Sequence, residues 1–376
     1  MAKVKIQGHA SGTGILTVTA PNTSTDRTIT LPDSTDTLIG AATTDALTTR
    51  INAAGGRKNL IINGNFDIWQ RGTSFAVSAN TKTYTADRWV AYDSTNTSTI
   101  SRQSADNDGS QYACRVQRDS GQTGTATEEF EQAFETEDIA KYRGKNVTVS
   151  FYLKKGANYS ATSDNLVMTL VTGTAAEATH LNTGFTGAVT NGTLTQAITS
   201  SSVKYSFTTT AVIASNVTQM ALRFVKTPTG TAGADDWFQI EQVQLEAGSV
   251  ATDFEYRSYG EELALCERYC QLVVQGIEAI GIGMAYSTGS VNCIVDLTCE
   301  MRTTPTLTQT SGTNYYSIEA NGGRDDINDF SGGLHSRTWK RRLVIVAQTG
   351  VSQVAGHASQ CEGYNANALI TAEAEL

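Results

Sequence analysis

The segment Leu16–Gly40, LTVTAPNTSTDRTITLPDSTDTLIG, most constrains the fold, because it reads as β-structure but has little to bury. Beyond one Ala, its only aliphatic side chains are Leu16, Val18, Ile29, Leu31, Leu38 and Ile39. Burying six such side chains falls well short of the conformational entropy lost when the whole segment is ordered. Segments this short rarely fold alone without disulfides, metals or association, and this one has no Cys. We therefore predict that it packs against another protein or winds around other copies of itself.

A short helix is predicted directly after this segment, over Ala41–Gly56. Leu47 and Ile51 stand one turn apart, so its apolar stripe is about one residue wide, which is typical of a coiled-coil seam. This seam favours copies that wind around a common axis. The residues predicted to form the attachment and subunit core are apolar positions of the arm and helix: Val4, Ile6, Leu16, Val18, Ile29, Leu31, Leu47 and Ile51.

Composition narrows the class of protein. Only 17% of the 376 residues are charged, below the roughly 25% of an average soluble domain. Thr, Ser, Gly and Asn take up the difference, and abundant Thr favours strands because its branched Cβ suits the pleated backbone. The 28 basic and 37 acidic residues give a net charge of −9, which argues against a nucleic-acid groove.

No targeting or membrane-spanning segment is apparent. The start, MAKVKIQGHASGTG, has no apolar core of a secretory signal, and no apolar run reaches membrane-spanning length. We expect synthesis in the cytosol, where thiols stay reduced. The six Cys show no C-x-x-C spacing and the four His lie far apart, so we predict buried thiols, no metal site and no cofactor.

Alternation of apolar and polar residues predicts many short strands. Val147, Val149, Phe151 and Leu153 share one face of NVTVSFYLKK. In WFQIEQVQLEAG the buried parity changes from Phe238 and Ile240 to Val243 and Leu245, so we predict a β-bulge near Glu241-Gln242. Short strands separated by Gly-rich and Asn-rich turns indicate an antiparallel jelly-roll sandwich.

A second helix is predicted over Ser258–Val273, where Ser258 and Glu261 form a capping box. Further strands follow, including one in which Val291, Cys293, Val295, Leu297 and Cys299 point inwards. The stretch EANGGRDDINDFSGGLHSRTW reads as the longest polar loop. The predicted organisation is an all-β chain with these parts: arm 1–40, short helical coiled coil 41–58, jelly roll 59–257, connector helix 258–274 and C-terminal β-sandwich 275–376.

Several motifs resemble those of phage virion fibre proteins. The opening segment is similar to arms of the type LTI-aPNT-dRTlTLPD-tGTL near the start of such proteins. NLIINGNFDIWQRGTSF followed by YTADRW resembles the start of tail-fibre domains related to carbohydrate-binding modules. FQIEQVQLEAGSVATDFEYRSYGEELALCERYCQ and CEMRTTPTLT resemble the closing pattern and its continuation. Together the motifs frame residues 16–307, and the same cassettes occur on tail and capsid.

The resemblance implies an intertwined homotrimer: an attachment arm, a carbohydrate-binding-module-like jelly roll and an outer β-domain. In such modules the closing strand usually carries an IDDV-like run whose carboxylate helps hold a structural calcium. Here the run is Ile240-Glu241-Gln242-Val243, and this departure argues against that calcium.

Four aromatic residues are candidates for receptor or glycan contact. Trp339, Tyr315 and Tyr316 flank the long polar loop, and amphipathic aromatics supply contact area at low entropy cost. Trp237 follows Asp235-Asp236, and a Trp beside carboxylates can stack on a sugar while the carboxylates bond its hydroxyls, but core packing is slightly favoured over this role. Trp69 and Trp89 are predicted to be framework residues.

The leading functional prediction is a non-enzymatic phage virion appendage, assembled in the bacterial cytoplasm, that binds a virion protein through its arm and a host glycan or receptor through its outer domains. The alternative is a capsid-attached fibre or decoration protein. A polysaccharide-cleaving tailspike is the third class. Asp106-Asn107-Asp108-Gly109 is read as a turn, and Asp325-Asp326 as solvated acids, because neighbouring strand residues face opposite sides.

Overall fold

The structure is a computed structural model, and it describes residues 57–376. The predicted arm and coiled-coil helix, with the attachment core from Val4 to Ile51, lie outside the described residues.

The first twelve strands form two six-stranded antiparallel sheets. Their bounds are β1 Ser74–Val77, β2 Thr81–Tyr84, β3 Val90–Asp93, β4 Ser98–Ser104, β5 Tyr112–Arg118, β6 Glu128–Phe134, β7 Val147–Lys155, β8 Asn165–Gly173, β9 Val189–Ala197, β10 Val203–Thr208, β11 Gln219–Lys226 and β12 Trp237–Ala247. Sheet I has the order β1-β4-β5-β12-β7-β10, and sheet II the order β2-β3-β6-β11-β8-β9. Successive strands pass back and forth between the two sheets, as in a jelly roll. A short helix, α1 (Thr136–Ala140), and a 3₁₀ turn (Thr162–Asp164) lie in the connections.

The core of this first sandwich lies between sheets I and II. Val147, Val149, Phe151 and Leu153 are all fully buried there, which confirms the predicted alternation on β7. At its centre the Trp89 ring stacks on Phe130, with 5.1 Å between centroids. Trp69 and Trp89 are both buried in this core, so their predicted framework role is confirmed.

The predicted β-bulge is present in β12. Its register against β7 shifts between Glu241 and Gln244, and Gln242 has a φ of 48°. Because of the extra residue, the buried face passes from Ile240 to Val243 without loss of the core. Val243 N donates to Gly64 O at 2.8 Å, so a loop residue satisfies the backbone where the ladder is interrupted.

The connector helix is shorter than predicted. Helix α2 covers Tyr259–Glu267, and its capping box is confirmed, since Ser258 N and Oγ both donate to the Glu261 carboxylate (3.1 and 2.9 Å). The predicted continuation to Val273 is wrong, because residues from Cys270 onwards are in a strand that pairs with the last strand of the chain. Helical spacing of Leu272 and Val273 was therefore fortuitous.

The remaining ten strands form two further antiparallel sheets around a second core. Their bounds are β13 Cys270–Gln275, β14 Ala279–Ser287, β15 Ser290–Asp296, β16 Thr306–Gln309, β17 Tyr316–Ala320, β18 Gly323–Ile327, β19 Gly333–Leu334, β20 Arg342–Ala347, β21 Ala358–Gly363 and β22 Leu369–Glu373. Sheet III has the order β13-β22-β16, and sheet IV the order β18-β17-β21-β14-β15-β20-β19. The all-β fold class is thus confirmed for the described residues. The numerical domain limits stay predictions.

Two details of the second core differ from the sequence-based expectations. Val291 and Cys293 are buried as predicted, and Val295 and Leu297 pack against the second core. Because β15 ends at Asp296, Leu297 and Cys299 lie beyond the strand and do not continue its alternation. The predicted polar loop contains the β17–β18 hairpin, which turns at Asn321-Gly322 (φ 48° and 77°). Both central residues have the positive φ that a type I′ turn needs, and Asn-Gly is its preferred pair.

All six cysteines are free, and five are buried, with Cys299 partly exposed.

Across residues 57–376, the helices are all too short or too polar to span a bilayer.

Candidate functional site

The outer side of sheet I carries the candidate site, which we call the Trp237 face. Phe238 and Ile240 point into the core, so the residues between and beside them point outwards. The face is defined by outward residues of four adjacent strands: Ser101, Gln103, Arg115, Gln117, Tyr152, Lys154, Trp237 and Gln239.

Strand register brings these side chains together from distant parts of the sequence. Gln239 lies opposite Arg115 on one side and Lys154 on the other. Arg115 in turn lies opposite Ser101, so four strands contribute to one row. Directly opposed side chains on one face are in contact range, so the row is a continuous polar surface.

Trp237 lies next to this row, two residues before Gln239 on β12 and opposite Gln117, at one end of the face, and it is partly exposed. The Arg115 guanidinium lies over its ring at 4.0 Å from the centroid, and Lys154 Nζ lies at 5.9 Å. A Cβ on Gly156 would lie 2.7 Å from two ring atoms, so this position needs a glycine for the indole to fit. The indole Nε1 donates weakly to Asp235 Oδ1 at 3.4 Å. The indole thus has the Arg115 guanidinium over one face and the Asp235 carboxylate at its edge.

Arg115 has hydrogen-bonding capacity to spare. Among the described residues it forms no salt bridge, and its only side-chain hydrogen bond is a long one of 3.4 Å from Nη2 to Gln239 Oε1. Its buried Nε has no partner. Burial lowers the pKa of Arg115, while the Asp235 and Asp106 carboxylates raise it, and arginine keeps its charge in proteins. A guanidinium with free donors matches hydroxyl pairs and carboxylates on a ligand.

The loop Ala105–Gln111 borders the other end of the face and is fixed by the bulge of β12. Glu241 accepts from the backbone N–H groups of Asp106 (3.0 Å) and Asn107 (3.2 Å) and from Asn107 Nδ2 (2.8 Å). Gln242 Nε2 donates to Asp108 O at 3.0 Å. The bulge therefore turns two consecutive polar side chains towards one loop. Asp106 also contacts Lys154 of the face.

This geometry bears on the calcium that the sequence resemblance brought into question. The Glu241 oxygens accept from four N–H groups, including a long bond of 3.4 Å from Gln239 Nε2, and these donors occupy the lone pairs that a cation would need. Asp106–Gly109 is the predicted turn, with a φ of 83° at Gly109. In the part of the chain that the structure describes, there is no cluster of three or more His, Cys, Asp or Glu that fits a metal ion.

The four aromatic candidates do not form one site. Trp339 is 65% exposed and pairs with Arg342 in an isolated bridge next to β20. Tyr315 is partly buried against the second core. Tyr316 has no exposed surface, and its hydroxyl lies 2.9 and 3.0 Å from the carbonyl oxygens of Thr310 and Leu369. The prediction that Tyr316 contacts a receptor is therefore wrong, because this residue belongs to the core.

The acidic pair Asp325-Asp326 has structural partners. Asp325 Oδ2 accepts from Ser352 N (2.8 Å) and Gln353 Nε2 (2.6 Å), whereas Asp326 pairs with Arg324 at 2.7 Å. Adjacent positions on β18 direct the two carboxylates to opposite sides of the sheet. They do not face each other across a cleft as a glycosidase pair does.

Sequence reasoning missed the polar partners of Trp237. Arg115, Gln117 and Lys154 each occupy the outward parity of a strand whose inward residues were easy to recognise. Their outward position could have been predicted from the alternation along each strand. Which strands lie next to β12 could not, because this depends on pairing between segments that are far apart in the sequence.

Comparisons with known proteins give structural likeness only. No family model matches the chain, and no curated protein matches it. It is similar to a solved carbohydrate-binding module titled "CBM4 structure and function", with 16% identity, 50% of this chain and 98% of that chain covered, and a TM-score of 0.31. It is similar to the CBM22-2 xylan-binding domain of Paenibacillus barcinonensis Xyn10C, with 14% identity, coverage of 46% and 99%, and a TM-score of 0.29. It is also similar to the enzymatically active domain of tailspike protein 4 of bacteriophage CBA120, with 12% identity, coverage of 50% and 21%, and a TM-score of 0.30.

Proposed function

We propose that this chain is a non-enzymatic, carbohydrate-binding appendage of a phage virion, and that its Trp237 face binds a host surface glycan. The observation that carries the binding proposal is the partly exposed indole of Trp237 beside Arg115, a guanidinium with free donors. Aromatic rings contact the C–H faces of sugars, while arginine and amide groups bond their hydroxyls.

The virion part of the proposal is supported by the fibre-like motifs of the sequence. Leu16–Gly40 resembles fibre attachment arms and has too few apolar side chains to fold alone, so we propose a homotrimer attached to the particle through this arm. Attachment to the capsid rather than the tail is the second candidate, because the same arm motifs occur on both. We propose no catalytic residue, since Asp325 and Asp326 are engaged on opposite sides of β18.

Binding of the full chain to a glycan array and to host cells tests the proposal. Trp237→Ala is the main variant, and Trp339→Ala is the matched control. Trp339 is an exposed tryptophan of the second sandwich, so each variant controls for loss of an aromatic ring. We expect Trp237→Ala to weaken glycan binding by about 5- to 150-fold, since the loss of one stacking contact on an aromatic side chain costs about 1–3 kcal/mol.

Loss of binding only in Trp339→Ala would move the contact to the second sandwich and overturn the Trp237 assignment. Unchanged binding in both variants, with the unaltered chain bound to the array, would have the same consequence. Release of reducing ends from host polysaccharide by the purified chain would refute the non-enzymatic role.

A further inference from the structure

A stripe of exposed apolar side chains covers the middle of sheet IV on the side away from the core. Ile282 and Tyr286 are each 74% exposed, Met284 is 52% exposed and Ile294 is 49% exposed. Ile282 on β14 lies directly opposite Ile294 on β15, so the four residues form one surface, which we call the β14 stripe. Single exposed apolar residues are common, but a contiguous group on a flat sheet face marks an interaction site.

The two sides of the β14 stripe carry opposite charge. On one side lie β21, β17 and β18, with the outward carboxylates Glu362, Glu319 and Asp326, of which Asp326 is paired with Arg324. We call these three carboxylates the acidic margin. On the other side, Arg342 at the start of β20 shares the outward face with Ile294, and Arg337, Lys340 and Arg341 lie in the segment that leads into the strand. We call these four residues the basic margin.

Local partners neutralise only part of the basic margin. Arg342 pairs with Asp296 at 2.5 Å, and Lys340 lies 3.9 Å from Glu300. Arg337 and Arg341 are exposed, and neither side chain has a salt bridge within residues 57–376. A surface with one apolar stripe between unlike charged margins is complementary to a second copy of itself placed in the correct orientation.

We propose that the β14 stripe is a contact face between copies of this chain, with the acidic margin of one copy against the basic margin of the next. If the stripes of several copies face a common axis, each copy contacts one neighbour through its acidic margin and the other neighbour through its basic margin. Such a head-to-tail contact can close into a ring. Like charges would meet in the reverse orientation, so the margins also select the arrangement. The inference deepens the proposed trimer, on which it rests, by naming its surface in the second sandwich.

Cross-linking through an introduced thiol tests this contact in the full chain. Met284→Cys places a thiol in the stripe, and Val189→Cys places one at a 55% exposed apolar position of the first sandwich. A short bis-maleimide should join chains of Met284→Cys into covalent multimers, whereas Val189→Cys and the unaltered chain should stay single on a denaturing gel. Adding Ile282→Asp to Met284→Cys should reduce the multimers at least fivefold.

Charge reversal tests the orientation. In the Met284→Cys background, Glu319→Arg or Arg341→Glu alone should lower the cross-link yield, and both changes together should restore most of it. Absence of multimers from Met284→Cys, as expected if another part of the same chain covers the stripe, would overturn the proposal. A cross-link yield that is unchanged by Glu319→Arg and by Arg341→Glu would also overturn it. Glycan binding by Trp237→Ala is a separate readout, so failure here is distinct from failure of the proposed function.

Discussion

Arg88 Nη1 donates to Glu375 Oε2 at 2.6 Å, and this contact joins the first sandwich to the residues that follow the last strand of the second. Arg71 Nη2 donates to the other Glu375 oxygen at 2.8 Å, and the Arg88 guanidinium lies 3.6 Å from the centroid of the Tyr269 ring. The Arg88, Arg71 and Glu375 side chains are all nearly inaccessible to solvent. Arg71 also pairs with Glu373 at 3.0 Å and with Asp87 at 3.8 Å, whereas Glu375 is the one carboxylate partner of Arg88 within residues 57–376.

Removing that carboxylate should be costly. We predict that Glu375→Gln lowers the free energy of unfolding by about 3 kcal/mol, because it leaves the buried Arg88 guanidinium without its counter-charge. Denaturant unfolding followed by fluorescence measures this loss. Asp296→Asn is the control, since its pair with Arg342 is solvent-exposed and should contribute nothing measurable. Equal effects of the two substitutions would contradict the prediction.

A buried cluster of Arg118, Lys226, Asp236 and Glu128 predicts a pH dependence of stability. Lys226 Nζ lies 2.7 Å from Asp236 Oδ1 and 3.3 Å from Glu128 Oε2. Burial raises the pKa of Glu128 from 4.5 to about 7, against the opposing effect of Lys226. Between pH 4.5 and about 7, Glu128 is therefore protonated in the folded state and ionised in the unfolded state. As far as this group is concerned, the free energy of unfolding is greatest below pH 4.5 and declines as the pH rises through 7.

We predict that Glu128→Gln flattens this decline. A pKa difference of this size corresponds to on the order of 3 kcal/mol between pH 4.5 and pH 8. Unfolding free energies of the unaltered chain and Glu128→Gln at pH 5, 6, 7 and 8 measure the difference. Burial also raises the pKa of Glu131 to about 8, so a smaller slope should remain in the variant. Parallel curves for the two proteins would rule out the assignment to Glu128.

The loop beside the Trp237 face should loosen when Glu241 is altered. We predict that Glu241→Ala speeds hydrogen exchange at the Asp106 and Asn107 amides at least tenfold, because each loses a hydrogen bond to a carboxylate. Glu246→Ala is the matched control: Glu246 is also buried on β12, but it accepts from Thr252 N at 2.8 Å instead. Exchange at the two amides should be unchanged in that control. Glycan binding should weaken only in Glu241→Ala.

The β17–β18 turn should depend on the glycine at its second position. Gly322 has a φ of 77°, so Gly322→Ala should lower the free energy of unfolding by about 1–2 kcal/mol through left-handed backbone strain. Gly289, in the turn between β14 and β15, has open space around it and no left-handed φ, so Gly289→Ala should be close to neutral. Thermal unfolding of both variants gives the comparison. An unchanged free energy of unfolding in Gly322→Ala would contradict the prediction, because it would show that the turn accommodates a side chain at this position.

Local sequence patterns correctly predicted the features that depend on neighbouring residues alone. Alternation identified the buried face of β7, and the parity change between Ile240 and Val243 located the bulge, because side-chain direction follows directly from strand geometry. The end of α2 could not be found in this way. Leu272 and Val273 suit a helix by spacing, but Cys270–Gln275 pairs with Leu369–Glu373, a partner almost a hundred residues away.

The candidate site shows the same limit. Trp237 could be selected from its neighbours in sequence, whereas Arg115 and Lys154 reach it only through the register of β5 and β7 against β12. Tyr316 was misassigned because an aromatic beside a polar segment looks exposed until it is recognised as the first residue of β17, on the face that packs into the second core. The Asn321-Gly322 pair was the missed signal, since its turn chemistry is informative even in a polar stretch.

The extra residue in β12 has a consequence for how this region can vary. Losing one of the two residues between Ile240 and Val243 would leave a regular strand in which Val243 and Leu245 still point into the core. The same loss would remove one of the two polar side chains that hold the loop Ala105–Gln111. Diverging copies of this chain that lack the extra residue should therefore keep the buried face of β12 and differ in the loop beside the Trp237 face.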